Sequence, residues 1–523
     1  MTPIGKTLSC SGISTQRKRK FLRSFDGLLA AVTLAGLAFV APAVHAASYT
    51  WTPLTAGPFN WNNASSQNNW TSGFPNALAD VANMSVNLSA NQTVNLNQAI
   101  TVGTLTIGDN NGAQTFTLAP NSGSLIFDVS SGTASLNRSS AGTGATTVSS
   151  NITLNDNLVV KLAGGSASST MTLSGIISES GGAKSLTKDS STLTLALTGA
   201  NTFSGGVIIK NGTLESRTTQ TTLGTGTVTM GGVGSSGATY ITSQNNSNPF
   251  VINAPDSGSV IIGANGVGSG FTLSGGVTLN GNLTLQTFDN PVSESNKATS
   301  ILTGGVTGTG NLLLNNLGLA ANTISLTTAA VNHTGTITLS GTAATGDTTI
   351  SAPIGSNVTG ITQSSTTSRL VLSGSNSYAG NLTINAGTVR ISNNSNTAND
   401  VSTVSIASGG ILDLTYVGTD TVGKLFIGGV EQPAGVYGKS GSTDPSVTNT
   451  SAQITGDGTL TVPAPEIVVE DDSAANIANN GTKDFGPVEV GSNTELTFTV
   501  RNSGNAALNL TGTPLVAISG TTA

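Results

Sequence analysis

Eighteen residues beginning at Leu197 return, without a gap, 175 positions further along the chain. Leu197, Gly199, Asn201, Gly205, Ile209, Gly212 and Thr213 become Leu372, Gly374, Asn376, Gly380, Ile384, Gly387 and Thr388. Thr198/Ser373, Thr202/Ser377, Phe203/Tyr378, Val207/Leu382 and Leu214/Val389 are similar in kind. A fainter third set starts at Asn332, with His333, Gly335, Ile337, Leu339 and Gly341 in a comparable order. One copy of such a repeat cannot bury its apolar face alone and must stack on neighbours.

The stacked element is a strand. Leu193, Leu195 and Leu197 fall on one face and Thr194, Ala196 and Thr198 on the other, the two-residue period of a half-buried strand. Val207 and Ile209 keep the phase, and Asn211-Gly212 is expected to mark a turn, since both residues tolerate positive φ. The same short alternating runs recur at Val102 to Ile107, Ile152 to Leu154, Phe271 to Leu273 and Leu312 to Leu314, each bounded by Gly, Asn, Ser or Asp. Helical periodicity is missing beyond the N-terminal segment. Hydrophobic residues make up 37% of the chain and charged residues only 8%. A disordered chain has no reason to space its apolar residues by two, so order is expected. Stacked coils also bring turn asparagines together, where ladders of side-chain amides are expected.

The pattern LTK…LTLxGxNTFSGGVxIxNGTL at residues 185–214, with its second copy at 370–391, resembles the autotransporter-associated β-strand repeat, also called the passenger-associated transport repeat. The resemblance implies an all-β fold, a right-handed parallel β-helix (β-solenoid). It further implies an exported passenger, usually without enzymatic activity of its own. The second copy departs in having Asn381 where the first has Gly206, and it shows no clear Leu-Thr-Lys lead-in.

Residues 1–46 read as a signal peptide. Lys6, Arg17, Lys18, Arg19, Lys20 and Arg23 form a basic stretch, Leu28 to Ala43 an apolar one, and Val44-His45-Ala46 a small-residue cleavage site. The apolar run falls short of the about 20 residues needed to span a bilayer. With Asp26 also in this segment, the mature chain keeps 13 basic and 24 acidic groups, a net −11. A surface so poor in Lys and Arg disfavours nucleic acid as a partner. Cys10, the single cysteine, leaves with the segment, and with it any disulfide, thiolate nucleophile or Cys-based metal site.

Residues 47–85 are expected to cap the solenoid, which then runs over 86–462. Trp51, Trp61 and Trp70, with Phe59 and Phe74, cover the first coil in this reading. The segment from Trp70 through Phe74-Pro75 to Asp80-Val81-Ala82 resembles the start of many proteins with this repeat. Residues 463–465, Pro-Ala-Pro, make a stiff linker. The string DFG…VGSNTELTFTVRNSGNAALNLTGTP resembles the opening of an immunoglobulin-like module of the choice-of-anchor D, or ASPM/SPD-2/Hydin-like, kind. Residues 466–523 number 58, against roughly 100 in a complete sandwich, so a partial immunoglobulin-like β-sandwich is expected.

No residue stands out as catalytic, cofactor-binding or metal-ligating. His333, the one histidine after residue 46, holds the slot of Phe203 and Tyr378 and is expected to pack there. Asp109, Asp128 and Asp156 are scattered singly at turns, where carboxylates cap backbone. The polygalacturonase series of β-helix hydrolases is missing, since Arg390-Ile391 is followed by Ser392. Glu470-Asp471-Asp472 is expected to be a solvated edge rather than a Ca²⁺ site. The sequence thus points to an exported, non-enzymatic passenger at the cell surface or secreted, serving as a structural spacer or adhesin-like scaffold. Glycans or other cell-surface components are its expected partners. The alternative is a carbohydrate-binding or polysaccharide-degrading β-helix that stacks sugars on Trp51, Trp61 and Trp70.

Overall fold

The computed structural model describes residues 46–63, 69–139, 142–164, 168–264, 270–287, 298–318, 322–342, 346–393, 400–503 and 508–513. Met1–Val44 and His45–Ala523 are separate units, and the expected signal peptide, apart from Ala46, lies outside the described residues. Among the described residues every regular element is a strand, and the chain winds into a β-solenoid of about 13 turns. Nowhere among them is a helix long and apolar enough to cross a membrane.

Parallel pairing begins early. Ser48–Thr50 lies on Val81–Val86, and Phe59–Asn60 on Gln92–Leu96, so the segment around the tryptophans already contributes strands to the parallel ladder. From there inward-facing residues stack in columns. One column runs Ala134, Leu158, Leu186, Val207, Val228, Phe250 and Val277, then Val306, Val331 and Ile354. Every member is at most 1% exposed. Each large apolar side chain so buried contributes about 1.5–3 kcal/mol, which is what makes a chain of short strands hold together. Coil length is not fixed. It is 21 residues from Leu186 to Val207 and 29 from Val277 to Val306, with the difference absorbed between strands.

Two long strands show how the coil turns its corner. Leu186–Leu197 pairs through Leu186–Lys188 with Leu158–Val160, and through Leu193–Leu197 with Ser169–Leu173. A single strand therefore serves two faces and bends between them, with its register to Val207–Ser216 shifting on both sides of Asp189. The expected turn at Asn211-Gly212 is accordingly a bend inside the continuous strand Val207–Ser216, not a break. Gly212 supplies it at φ +74°, and a Cβ there would lie 2.2 Å from the Ser190 carbonyl oxygen. In the second copy the strand does break, between Asn381–Ile384 and Gly387–Ile391, and Gly387 stands at φ +64° with its Cβ position 2.2 Å from the Ser365 carbonyl oxygen. Ala196, on the outer face of the first copy, is buried as well, between Thr172 and Glu215 in the register.

Amide ladders are replaced by a different contact at most of these turns. An asparagine Oδ1 accepts a backbone N–H one coil away: Asn76 from Thr101 (2.8 Å), Asn151 from Ile176 (3.0 Å), Asn211 from Ser236 (2.7 Å) and Asn311 from Thr336 (2.9 Å). Amide-to-amide contacts occur at Asn280–Asn253 and Asn315–Gln286, at 3.0 and 2.9 Å. Asn282 and Asn311 hold equivalent places on successive coils, and there too the Asn282 Oδ1 takes the Asn311 backbone N–H, at 2.8 Å, and not its side-chain amide.

At the far end the pairing changes sense. Lys424–Ile427 turns back on Val430–Glu431, and Gly435–Lys439 runs antiparallel to Thr459–Val462. After the Pro-Ala-Pro stretch, Ile467–Glu470 pairs antiparallel with both Asn476–Ile477 and Thr499–Asn502. Phe485 and Phe498 approach at 6.3 Å between ring centroids and stay largely exposed.

Candidate functional site

The repeated coil carries its chemistry inward. In Leu186–Leu197 the phase that buries Leu186 also buries Lys188, which is fully enclosed. Its neighbours in register are Val160 and Ile209. Lys188 Nζ donates to the Ser190 carbonyl oxygen at 2.6 Å and to that of Asn211 at 2.7 Å, joining the bends of two successive coils. Burial pushes the amine down to about 7, with Asp189 acting in the opposite sense. The second copy places Gln363 here, 175 positions on. It is also fully buried, and its Nε2 donates to the carbonyl oxygens of Ser368 (2.8 Å) and Thr388 (3.1 Å). The second copy thus has a lead-in, Ile361-Thr362-Gln363, which a search for Leu-Thr-Lys misses.

Asn201 and Asn376 also share a role. Each is buried, and each Oδ1 accepts the N–H of an isoleucine in the preceding coil, Ile177 at 2.7 Å and Ile354 at 3.1 Å. Asn381, standing where the first copy has Gly206, accepts the Thr403 N–H at 3.0 Å. Phe203, His333 and Tyr378 all lie in the interior at 0–1% exposure. His333 Nε2 is 3.4 Å from the Thr336 carbonyl oxygen, Nδ1 has no hydrogen-bond partner among the described residues, and burial pushes the imidazole below its ordinary value.

Trp51, Trp61 and Trp70 are 1%, 0% and 2% exposed. Trp70 packs on both others, with ring centroids 5.1 Å from Trp51 and 4.7 Å from Trp61. Their indole N–H groups donate to Gln92 Oε1 and to the carbonyl oxygens of Pro75 and Trp61. The structure brings the three together and encloses their side chains.

The single carboxylates cap backbone or neighbouring amides. Asp109 is buried and accepts N–H groups from Leu88 and Gln114, both at 3.1 Å. Asp156 accepts that of Val129 at 2.8 Å, and Asp128 the Asn155 amide at 2.8 Å. Asp471 is held below the usual carboxylate range by Lys483 at 2.5 Å together with Ser473 and Ala475, while Glu470 meets Arg501. Among the described residues no three His, Cys, Asp or Glu side chains converge as a metal site would need.

Two interior cations escape a reading by composition. Besides Lys188, Arg138 is fully buried, its guanidinium donating to the Ser139 and Gly144 carbonyl oxygens, with Nε unpartnered among the described residues. Burial lowers its pKa against the pull of Asp109. The alternation Ala134-x-Leu136-x-Arg138 and Leu186-x-Lys188 was the available signal. A surface depression of about 390 Å³ lies beside Lys424, Glu431, Pro433 and Pro465, where Lys424 and Glu431 neutralise one another at 2.9 Å.

These features define a β-solenoid with a filled interior whose polar groups serve the coils. Residues 188–215 and 367–391 match the family model of the passenger-associated-transport-repeat. Both stretches fall on the repeated coil, and together with the solenoid they fit an autotransporter passenger. No curated protein and no solved structure matches the chain.

Proposed function

We propose that this chain is an exported, non-enzymatic passenger, secreted or displayed at the cell surface, where it serves as a structural spacer or adhesin-like scaffold. The observation that carries the reading is the placement of both repeat matches on coils of one solenoid. In this reading the solenoid is right-handed, residues 1–46 are its export signal, and residues 466–523 open an immunoglobulin-like module. Its partners are glycans or other cell-surface components, met by the outer faces and not by the covered tryptophans.

The test is to express the full chain in a Gram-negative host and treat intact cells with protease. Cleavage of the chain on intact cells, or its recovery from the medium, supports the reading. Retention in the cytoplasm with an intact N-terminus overturns it.

A further inference from the structure

We propose that Lys188 makes the first copy of the repeat a proton-linked latch, in which the coil closes tightest while the amine is neutral and loosens when it takes up a proton. The column Leu105, Leu136, Val160, Lys188, Ile209, Met230, Ile252 is apolar on both sides of the lysine. All its members are fully buried. The partners of Nζ are two backbone carbonyl oxygens, and a neutral amine has two N–H groups to give them. An ammonium has a third, which finds no partner among the described residues and carries a charge into an apolar interior.

The second copy supports the same count. Gln363 fills the slot with a group that has two N–H donors and no charge, and it too spends them on two carbonyl oxygens. A charge is therefore not needed to join the bends.

Among the described residues no carboxylate forms an ion pair with Nζ, although Asp189 draws the amine toward its charged form and so offsets part of the burial. On the lysine's own strand, the Asp189 carboxylate is engaged by Asn211 Nδ2 at 2.7 Å and faces Lys210 at 3.6 Å. On the following strand Glu215 pairs with Arg217, and on the preceding strand Lys161 is exposed. These are the charged groups on the strands packed against Lys188.

The sign follows from linkage. An opened coil returns the lysine to water, near its ordinary value of about 10.4, whereas the closed coil holds it at about 7. Between those values the open form binds more protons, so closure strengthens as pH rises and weakens as pH falls, levelling below about 7.

Hydrogen exchange of the full chain, corrected for intrinsic rates, tests this across pH 6 to 10. Protection of amides in 207–216 is compared with that in 381–391 in the wild type and in Lys188→Gln. The ratio of the two is expected to rise with pH above about 7, by at most about tenfold per pH unit, and to be flat in Lys188→Gln. A flat ratio in the wild type overturns the latch, as does an unchanged slope in Lys188→Gln. If the variant does not fold, the wild-type profile decides alone.

Discussion

Asn201 Oδ1 receives the backbone N–H of Ile177 at 2.7 Å, while its Nδ2 donates to the Thr222 carbonyl oxygen at 2.6 Å. One buried amide thus ties the coil before it to the coil after it. Asn201→Ala strands a buried donor and a buried acceptor, and a loss of about 2–3 kcal/mol is expected. Denaturant unfolding measures it, and faster exchange of the Ile177 amide locates it.

Ile209 is enclosed in the column between Lys188 and Met230. Ile209→Asp buries a carboxylate in an apolar column beside Lys188, whose Nζ is already held by two carbonyl oxygens, and is expected to cost at least about 2 kcal/mol. Limited proteolysis should then open the chain near residues 186–230; wild-type resistance would contradict the inward assignment.

Glycine position separates two costs. Gly212→Ala meets both positive φ and a carbonyl oxygen 2.2 Å from the new Cβ, while at Gly181, φ +70°, nothing lies within 4 Å. Gly181→Ala is expected to cost about 1 kcal/mol, from the left-handed backbone alone. Gly212→Ala should exceed it by at least about 1 kcal/mol, since the backbone must shift. Paired melting curves read the difference.

The period-two alternation and the 175-residue return made the solenoid legible, because both follow from stacking strands on one apolar interior. The bends were less so. Whether the chain breaks or curves at Asp189–Thr192 is decided by which strands of the previous coil pair on either side of it. Lys188 and Arg138 stood in the inward phase from the start, yet a charge is ordinarily assigned to the surface, and only the carbonyl oxygens supplied by the bends make their burial tolerable. The tryptophans lie nine or ten residues apart, and Trp51 and Trp70 face each other in an isolated bridge outside the named strands. No strand phase announces which way such side chains face.

The tryptophan cluster gives an optical handle. With all three indoles enclosed, emission should be blue-shifted, poorly quenched by iodide and unmoved by added oligosaccharides. Trp70→Ala removes the ring that touches both others and is expected to cost about 3–5 kcal/mol. A glycan-dependent shift in the wild type would restore the sugar-stacking alternative.

Gln363→Lys should carry pH dependence into the second copy. A lysine there faces the same kind of apolar interior, so its closed-state pKa falls below its value in the unfolded chain. Stability is then expected to rise with pH toward about 10.4 and to fall as pH drops below it, where the Gln363 coil of the wild type is flat. Urea midpoints of variant and wild type from pH 6 to 10 show the difference.

The parallel register of successive coils is tested most directly by cysteine pairing, in a chain whose Cys10 is replaced by Ser. Thr229 and Val251 are register partners on adjacent strands, roughly 4.8 Å apart in backbone, within disulfide reach. Thr278 lies one coil further, roughly 9.6 Å from Thr229 and out of reach. Under mild oxidation, Thr229→Cys with Val251→Cys is expected to crosslink, and Thr229→Cys with Thr278→Cys is not. Crosslinking of the second pair but not the first would contradict the solenoid.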